Sequence, residues 1–314
     1  MNTTTNNKLA ALLASGRPVT IDGGLATQLE AQGCNIDGSL WSAALLQSDP
    51  AAIVAAHRAF LDAGAQIIIS ASYQASVAGF MQLGMSQQAA EQLIASSVGL
   101  ACSARDEFLA ANPGGNDTPL VAASIGPWGA CQHDGSEYTG VYDIDDAGLR
   151  LFHQQRLQLL DRTNADLLAC ETIPNLREAR VLSELLADAR LPAWVSFCCK
   201  DERRLSDGTP LGEACALFRE HPQVLALGVN CTAPQFVTAL IGEIRAAAPD
   251  KAIVVYPNSG ERYHAATNSW SGDASPAGFA THADEWRNAG ARLIGGCCRV
   301  GPPQILAVHA RLAS

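Results

Sequence analysis

The sequence predicts an α/β fold: a single (β/α)8 barrel with long βα loops at its carboxyl-end face. Three observations predict it. Short apolar, β-rich runs alternate with longer amphipathic stretches about eight times along the chain, the pattern of a parallel sheet wrapped by helices. The length, 314 residues, accommodates the ~250 residues that such a barrel typically needs. The unusual polar residues stand at strand ends, which barrel closure gathers on one rim.

The strands are expected at 19–22, 67–72, 120–125, 167–171, 193–198, 226–230, 253–256 and 293–296. Between them, 87–108 sets Ala90, Leu93, Ile94, Ser97 and Ala101 at helical spacing, and 150–161 does the same with Leu151, Leu157 and Leu160. Four strands follow similar stop-and-start phrases: Ala63-Gly64-Ala65, Asn164-Ala165-Asp166, His221-Pro222-Gln223 and Ala289-Gly290-Ala291. The Gly/Pro/Asn segment 112–118 is a connection before the third strand rather than a linker. One domain is therefore expected over 1–314. Segments 126–143 and 258–275 read as long βα loops rich in Gly, Ser, Tyr and Trp, on the face where barrels build their sites.

Composition narrows the function. Hydrophobic residues make up 48% and charged residues 17%, enough apolar content for a large core. The net charge of −10 carries no basic block, so a phosphate backbone is not an expected partner. No apolar run approaches the ~20 residues of a membrane span. The run 9–14 is too short for a signal-peptide core and reads as helix. A cytoplasmic chain is expected, with its ten cysteines mostly reduced.

Chemistry concentrates at five strand ends: Asp22-Gly23-Gly24, Ser70-Ala71-Ser72-Tyr73-Gln74, Cys170-Glu171-Thr172, Gly228-Val229-Asn230-Cys231 and Gly295-Gly296-Cys297-Cys298. Adjacent cysteines at 297 and 298 leave two special readings, a strained vicinal disulfide or a metal site. Consecutive strand residues point to opposite sides, so both thiols reach one ion only where the strand has ended and the chain turns. Cys231 closes the sixth strand, one strand removed from the eighth. Three thiolates with one open position is a catalytic zinc arrangement. Three anionic sulfurs make the ion a poor Lewis acid, yet it still keeps a fourth thiol deprotonated. A free thiol, with pKa ~8.5, is only a few per cent thiolate at pH 7, so such a site favours attack by sulfur on carbon. Cys34, Cys102, Cys131, Cys170 and Cys215 read as small core hydrophobes. Cys198-Cys199 is a second adjacent pair, with only Cys231 at a neighbouring strand end.

Asp22 and Glu171 are the candidate carboxylates. The other readings are a helix N-cap for Asp22 and a surface charge for Glu171. Together they suit an ammonium group, while the backbone N–H groups of Gly23 and Gly24 suit an anion. A ligand carrying both groups is an amino acid. Trp41, Tyr73, Trp128 and Tyr138 are rim aromatics, suited to packing or to a cationic donor. His57, His153 and His309 lie on predicted helices as surface or packing residues. His133, His264 and His282 lack ligand-like spacing.

With these residues in view, the chain resembles the homocysteine S-methyltransferase family over nearly its whole length. Asp22-Gly23-Gly24, Gly228-Val229-Asn230-Cys231 and Gly295-Gly296-Cys297-Cys298-Arg299 carry the resemblance. Asp134-Gly135-Ser136-Glu137-Tyr138, Leu168-Ala169-Cys170-Glu171-Thr172 and Tyr256-Pro257-Asn258-Ser259-Gly260 look like the S-methylmethionine-using branch. The resemblance implies zinc on Cys231, Cys297 and Cys298, homocysteine as methyl acceptor, and Asp22 and Glu171 as its carboxylate partners. Ser72 and Gly23 complete the expected substrate set. Trp41, Tyr73, Glu137 and Tyr138 form the expected donor set, for S-methylmethionine or S-adenosylmethionine. No obligate protein partner is implied.

The chain departs from the family pattern twice. Many relatives carry Asn-Thr where this chain has Ala71-Ser72, and betaine users carry an aromatic where it has Thr172, so betaine is not an expected donor. With so little sequence after the cysteine pair, cobalamin and folate modules are not expected, and the expected donor is a small free molecule. A zinc hydrolase would need ligands that leave the zinc acidic, and a general base beside its water. A phosphate site at Gly295-Gly296 would rely on Arg299. The non-enzymatic alternative is a homocysteine-binding or purely structural zinc protein, and a structural site would be closed by a fourth protein ligand.

Overall fold

A computed structural model describes residues 7–36, 41–114, 118–132, 134–264, 269–271 and 274–314. Eight strands form one sheet: β1 (Val19–Thr20), β2 (Ile67–Ile69), β3 (Leu120–Ile125), β4 (Leu167–Ile173), β5 (Ala193–Phe197), β6 (Val224–Asn230), β7 (Ala252–Tyr256) and β10 (Leu293–Ile294). All their pairings are parallel, in the order β1-β10-β7-β6-β5-β4-β3-β2. A parallel bridge from Ile21 to Ile67 joins the two ends and closes the barrel. The expected fold class is the one observed.

Side-chain alternation sorts each strand into two layers. Val19, Ile21, Ile67, Leu120, Ala122, Leu167, Ala169, Trp194, Ala226, Val254, Tyr256 and Leu293 pack together as the barrel interior. Their neighbours, among them Ile68, Val121, Leu168, Cys170, Val195, Leu227 and Val255, pack outward under the helices. The helix Lys8–Ala14 stoppers the interior: Leu9 is fully buried in the inner cluster, with Leu12 and Leu13 against it.

The helices start where side chains satisfy their first N–H groups. Asp49 caps Pro50–Asp62, Ser86 caps Gln87–Ala111, Asp145 caps Asp146–Asp161, and Asn175 caps Leu176–Leu186. In Asp146–Asp161 the buried face is Leu149, His153, Arg156, Leu157 and Leu160, whereas Leu151 is exposed. The predicted stripe is therefore turned: it omitted the polar His153 and Arg156, which are buried because they find partners.

β1, β2 and β10 are shorter than expected, because the chain leaves the ladder early to build the rim. β4 is longer, running past Glu171 through an irregular register to Ile173. The expected loop 258–275 contains an antiparallel hairpin, β8 (Arg262–His264) with β9 (Ser269–Ser271). Among the described residues no helix is long and apolar enough to cross a membrane.

Candidate active site at the carboxyl-end rim

Cys231 follows β6 directly, and Cys297 and Cys298 lie beyond the end of β10. The sulfur atoms of the three lie within 4.8 Å of one another. Cys231 Sγ and Cys298 Sγ are 3.7 Å apart; two thiolates on one tetrahedral zinc, with Zn–S of ~2.3 Å, stand about 3.8 Å apart. The residues thus fit the ion. Among the described residues no histidine or carboxylate joins the group. All ten cysteines are free thiols, so the adjacent pair is not a disulfide.

Backbone conformation brings the sulfurs together. Among the described residues only Thr172, Cys231 and Arg299 combine a side chain with a positive φ, at 61°, 49° and 62°. All three stand on this rim, where such strained backbone tends to gather. Gly24 is required by close approach: a Cβ there would lie 2.6 Å from the Cys297 carbonyl oxygen. The first and last rim turns therefore lock backbone to backbone.

The thiols share protons. Hydrogen bonds from Cys231 and Cys297 hold Cys298 well below the usual thiol range. The same contacts with Cys297 and Cys298, together with burial, push Cys231 well above it. Three sulfurs this close cannot all ionise without a cation between them.

The carboxylates are both buried. Asp22 is 1% exposed, and its Oδ2 accepts the Ile69 N–H at 2.7 Å while Oδ1 has no protein partner. Asp22 is not the helix N-cap, which is Gly24. Glu171 is 6% exposed and no surface charge. Burial raises both carboxyls: Glu171 is pushed up to about 7, and Asp22 also rises.

Glu171 belongs to a polar ring at the top of the barrel interior. The alternation that points Leu167 and Ala169 inward points Glu171 inward too. Ser124 donates to Glu171, the Tyr256 hydroxyl bonds it, Tyr256 and Ser196 share a hydrogen bond of 2.6 Å, and Ser196 donates to Asn230 at 2.8 Å. Sequence reading missed Ser124, Ser196 and Tyr256 and assigned Asn230 no role of its own. Counting inward positions along each predicted strand would have found them. Gly228 is fixed by the same sheet, because a Cβ would fall 1.6 Å from the Val254 carbonyl oxygen.

The loop after β3 covers the thiols. Tyr138 Oη lies 3.6 Å from Cys231 Sγ. Glu137, in the same short 3-10 turn, is half-buried, with one carboxylate oxygen lacking a protein partner. The loop is anchored from below by buried charge. Glu178 accepts from the Trp128 N–H, the Tyr142 hydroxyl and His153 at 2.7, 2.8 and 2.7 Å. Arg156 donates to the carbonyls of Gly126, Ser72 and Tyr73 at 2.8, 3.0 and 2.8 Å.

One cavity of about 130 Å³ is lined by the three cysteines, Glu171, Gly23, Tyr73 and Tyr138 among others, whereas Asp22 and Glu137 stand next to lining residues without lining it themselves. Ser72 and Gly24 also depart from expectation. Ser72 donates to the Ser124 carbonyl and shares a hydrogen bond with Ser70, so it lies behind the wall, and Ser70 lines the cavity instead. The Gly24 N–H is taken by the Val300 carbonyl at 2.9 Å and does not face a ligand. The Trp41 side chain and His133 lie outside the described residues, as does the His264 side chain. Arg299 is paired with Glu261 at 2.5 Å, which removes the cation a phosphate site would need.

The model of the family described as homocysteine S-methyltransferase matches residues 19–312. The chain belongs to this family. The homocysteine S-methyltransferases are methyltransferases, and two curated members show how much of the chain is shared. The homocysteine S-methyltransferase of Escherichia coli K12 is 46% identical, over 98% of this chain and 99% of its own. The selenocysteine Se-methyltransferase of Brassica oleracea is 42% identical, over 96% and 91%. The Escherichia coli homocysteine methyltransferase MmuM, solved in a metallated form, superposes with a TM-score of 0.87 at 45% identity, covering 96% of this chain and 99% of that one.

Proposed function

We propose that the chain transfers a methyl group from a sulfonium donor, S-methylmethionine or S-adenosylmethionine, to homocysteine, forming methionine, with zinc on Cys231, Cys297 and Cys298. The observation that carries this reading is three sulfur atoms within 4.8 Å in the same cavity wall as the buried carboxylate of Glu171. Bound there, zinc would keep the sulfur of homocysteine deprotonated at neutral pH. Asp22 and Glu171 take the ammonium group: both are desolvated, and Asp22 Oδ1 has no other partner. An ammonium between them returns both carboxyls to the charged form, which burial alone opposes. Gly23 and the residues opening the next helix face the amino acid's carboxylate.

The homocysteine sulfur then attacks the donor methyl carbon in line. A new S–C bond forms, the old C–S⁺ bond breaks, and its electron pair leaves on the neutral thioether. With zinc bound, the thiol proton of homocysteine would pass to solvent. Charge is partly neutralised at the transition state, so attraction between the reactants does not lower the barrier by itself. The protein must hold them in line. Tyr73, Tyr138 and Glu137 are the residues for the cationic donor, with Trp41 beside them in sequence-based expectation. A cytoplasmic setting suits the reading, because the three thiols must remain reduced.

The test is methionine formation from homocysteine with each donor in parallel, before and after chelation. Activity lost on chelation and restored by zinc is the expected result. Full activity in metal-free protein would refute the zinc assignment, and no methyl transfer to homocysteine from any sulfonium would refute the reading as a whole.

A further inference from the structure

Gln74 is a cavity-lining side chain with a buried, unpartnered polar atom that the reaction described above does not use. It follows Tyr73 at the end of the β2 rim turn and is 5% exposed. Its Nε2 donates to the Ala130 carbonyl at 3.1 Å, across to the loop after β3. That bond fixes the amide orientation, since turning it over would set oxygen against oxygen. Oε1 is left buried, without a protein partner, on a residue that lines the cavity with the three cysteines, Tyr73 and Tyr138. The backbone beneath is held as firmly. Arg156 donates to the Ser72 and Tyr73 carbonyls at 3.0 and 2.8 Å, and the Cys131 thiol donates to the Gln74 carbonyl at 3.4 Å.

We propose that Gln74 Oε1 receives the ammonium group of the methyl donor, and so selects sulfonium donors that are themselves α-amino acids. The inference rests on the functional reading above, in which Asp22 and Glu171 hold the ammonium of homocysteine. A second amino acid brings a second set of N–H donors, and Gln74 offers a fixed, unpartnered acceptor on a residue that lines the same cavity. A buried acceptor discriminates sharply, because a ligand without N–H leaves it unpaired. Betaine has no N–H, and neither does a dimethylsulfonium carboxylate such as dimethylsulfonioacetate.

The test uses the zinc-loaded protein with homocysteine saturating. The quantity read is the ratio of kcat/KM for S-methylmethionine over that for dimethylsulfonioacetate, in wild type, Gln74→Met and Gln74→Glu. Gln74→Met should lower the ratio roughly tenfold to a hundredfold through loss of S-methylmethionine use, with zinc content and the KM of homocysteine unchanged. Gln74→Glu keeps an acceptor but loses the bond to Ala130, and should retain the ratio. An unchanged ratio in Gln74→Met overturns the proposal. So does an equal loss with both donors in both variants, which would show that Gln74 only ties the two loops together. If wild type transfers methyl from neither sulfonium, the functional reading fails first and the Gln74 assignment falls with it.

Discussion

Asn230 grips Thr172 at both ends: its Oδ1 accepts the Thr172 amide N–H at 2.7 Å, and its Nδ2 donates to Thr172 Oγ1 at 2.7 Å. Thr172 sits at φ 61°, a left-handed conformation unfavourable to a β-branched residue. It directly follows Glu171, and Asn230 directly precedes Cys231. One buried amide therefore ties the position of a carboxylate on β4 to that of a thiol on β6.

Removing that amide should loosen both. Asn230→Ala strands a buried N–H and a hydroxyl, at a cost of about 1–3 kcal/mol for each. Thermal unfolding should shift down by several degrees, and the KM for homocysteine should rise. Unchanged Tm and KM would show that the clasp is dispensable.

The cysteines make the sharpest test of the metal assignment. Cys231→Ala, Cys297→Ala and Cys298→Ala should each remove zinc and methyl transfer while circular dichroism keeps the barrel signature. Metal analysis of the purified variants decides the matter: full zinc and full turnover in Cys231→Ala would exclude that ligand.

The carboxylates should govern homocysteine more than zinc. Asp22→Asn or Glu171→Gln removes a charged hydrogen bond worth roughly 1.5–3 kcal/mol, so kcat/KM for homocysteine should fall tenfold or more at unchanged zinc content. Steady-state kinetics with both variants provide the check, and unchanged values in both would remove them from the site.

Glu171 should also leave a mark on stability. Burial pushes its carboxyl from 4.5 up to about 7, and hydrogen bonds from Ser124 and Tyr256 only partly oppose this. Between those values the folded, ligand-free protein holds a proton that the unfolded chain has lost. Its contribution is therefore complete below pH ~4.5 and lost as pH rises through ~7. Glu171→Gln should raise the Tm of ligand-free protein at pH 8, by at most a few kcal/mol of stability, and lose that advantage towards pH 4.5. A Tm difference independent of pH would contradict the argument.

Donor preference is the remaining expectation. S-methylmethionine should be used better than S-adenosylmethionine, and betaine hardly at all. Comparing kcat/KM for the three at saturating homocysteine measures it. A preference for betaine would contradict the sulfonium reading, and a preference for S-adenosylmethionine would reverse the order alone.

The alternation of strands and helices, the barrel and the family were legible in the residues themselves, because period-two and helical spacing are local properties and the cysteine motifs are contiguous. The turn at Cys297-Cys298 was equally readable, since adjacent residues converge only where a strand has ended. Other features depended on residues distant in sequence. Ser72 carries the hydroxyl expected at the rim, yet Ser124 on the next strand draws it behind the wall. The Gly24 N–H was an apparent anion donor until Val300, 276 positions away, took it. His153 read equally as a surface or a packing residue and Arg156 carried no expectation; both are buried, because Glu178 and three loop carbonyls pair with them. The sequence by itself determined which residues reach the rim, for strand ends are set by local pattern. Only the tertiary structure decided which of their polar atoms face the cavity, because each is committed or left over by partners that barrel closure brings from elsewhere in the chain.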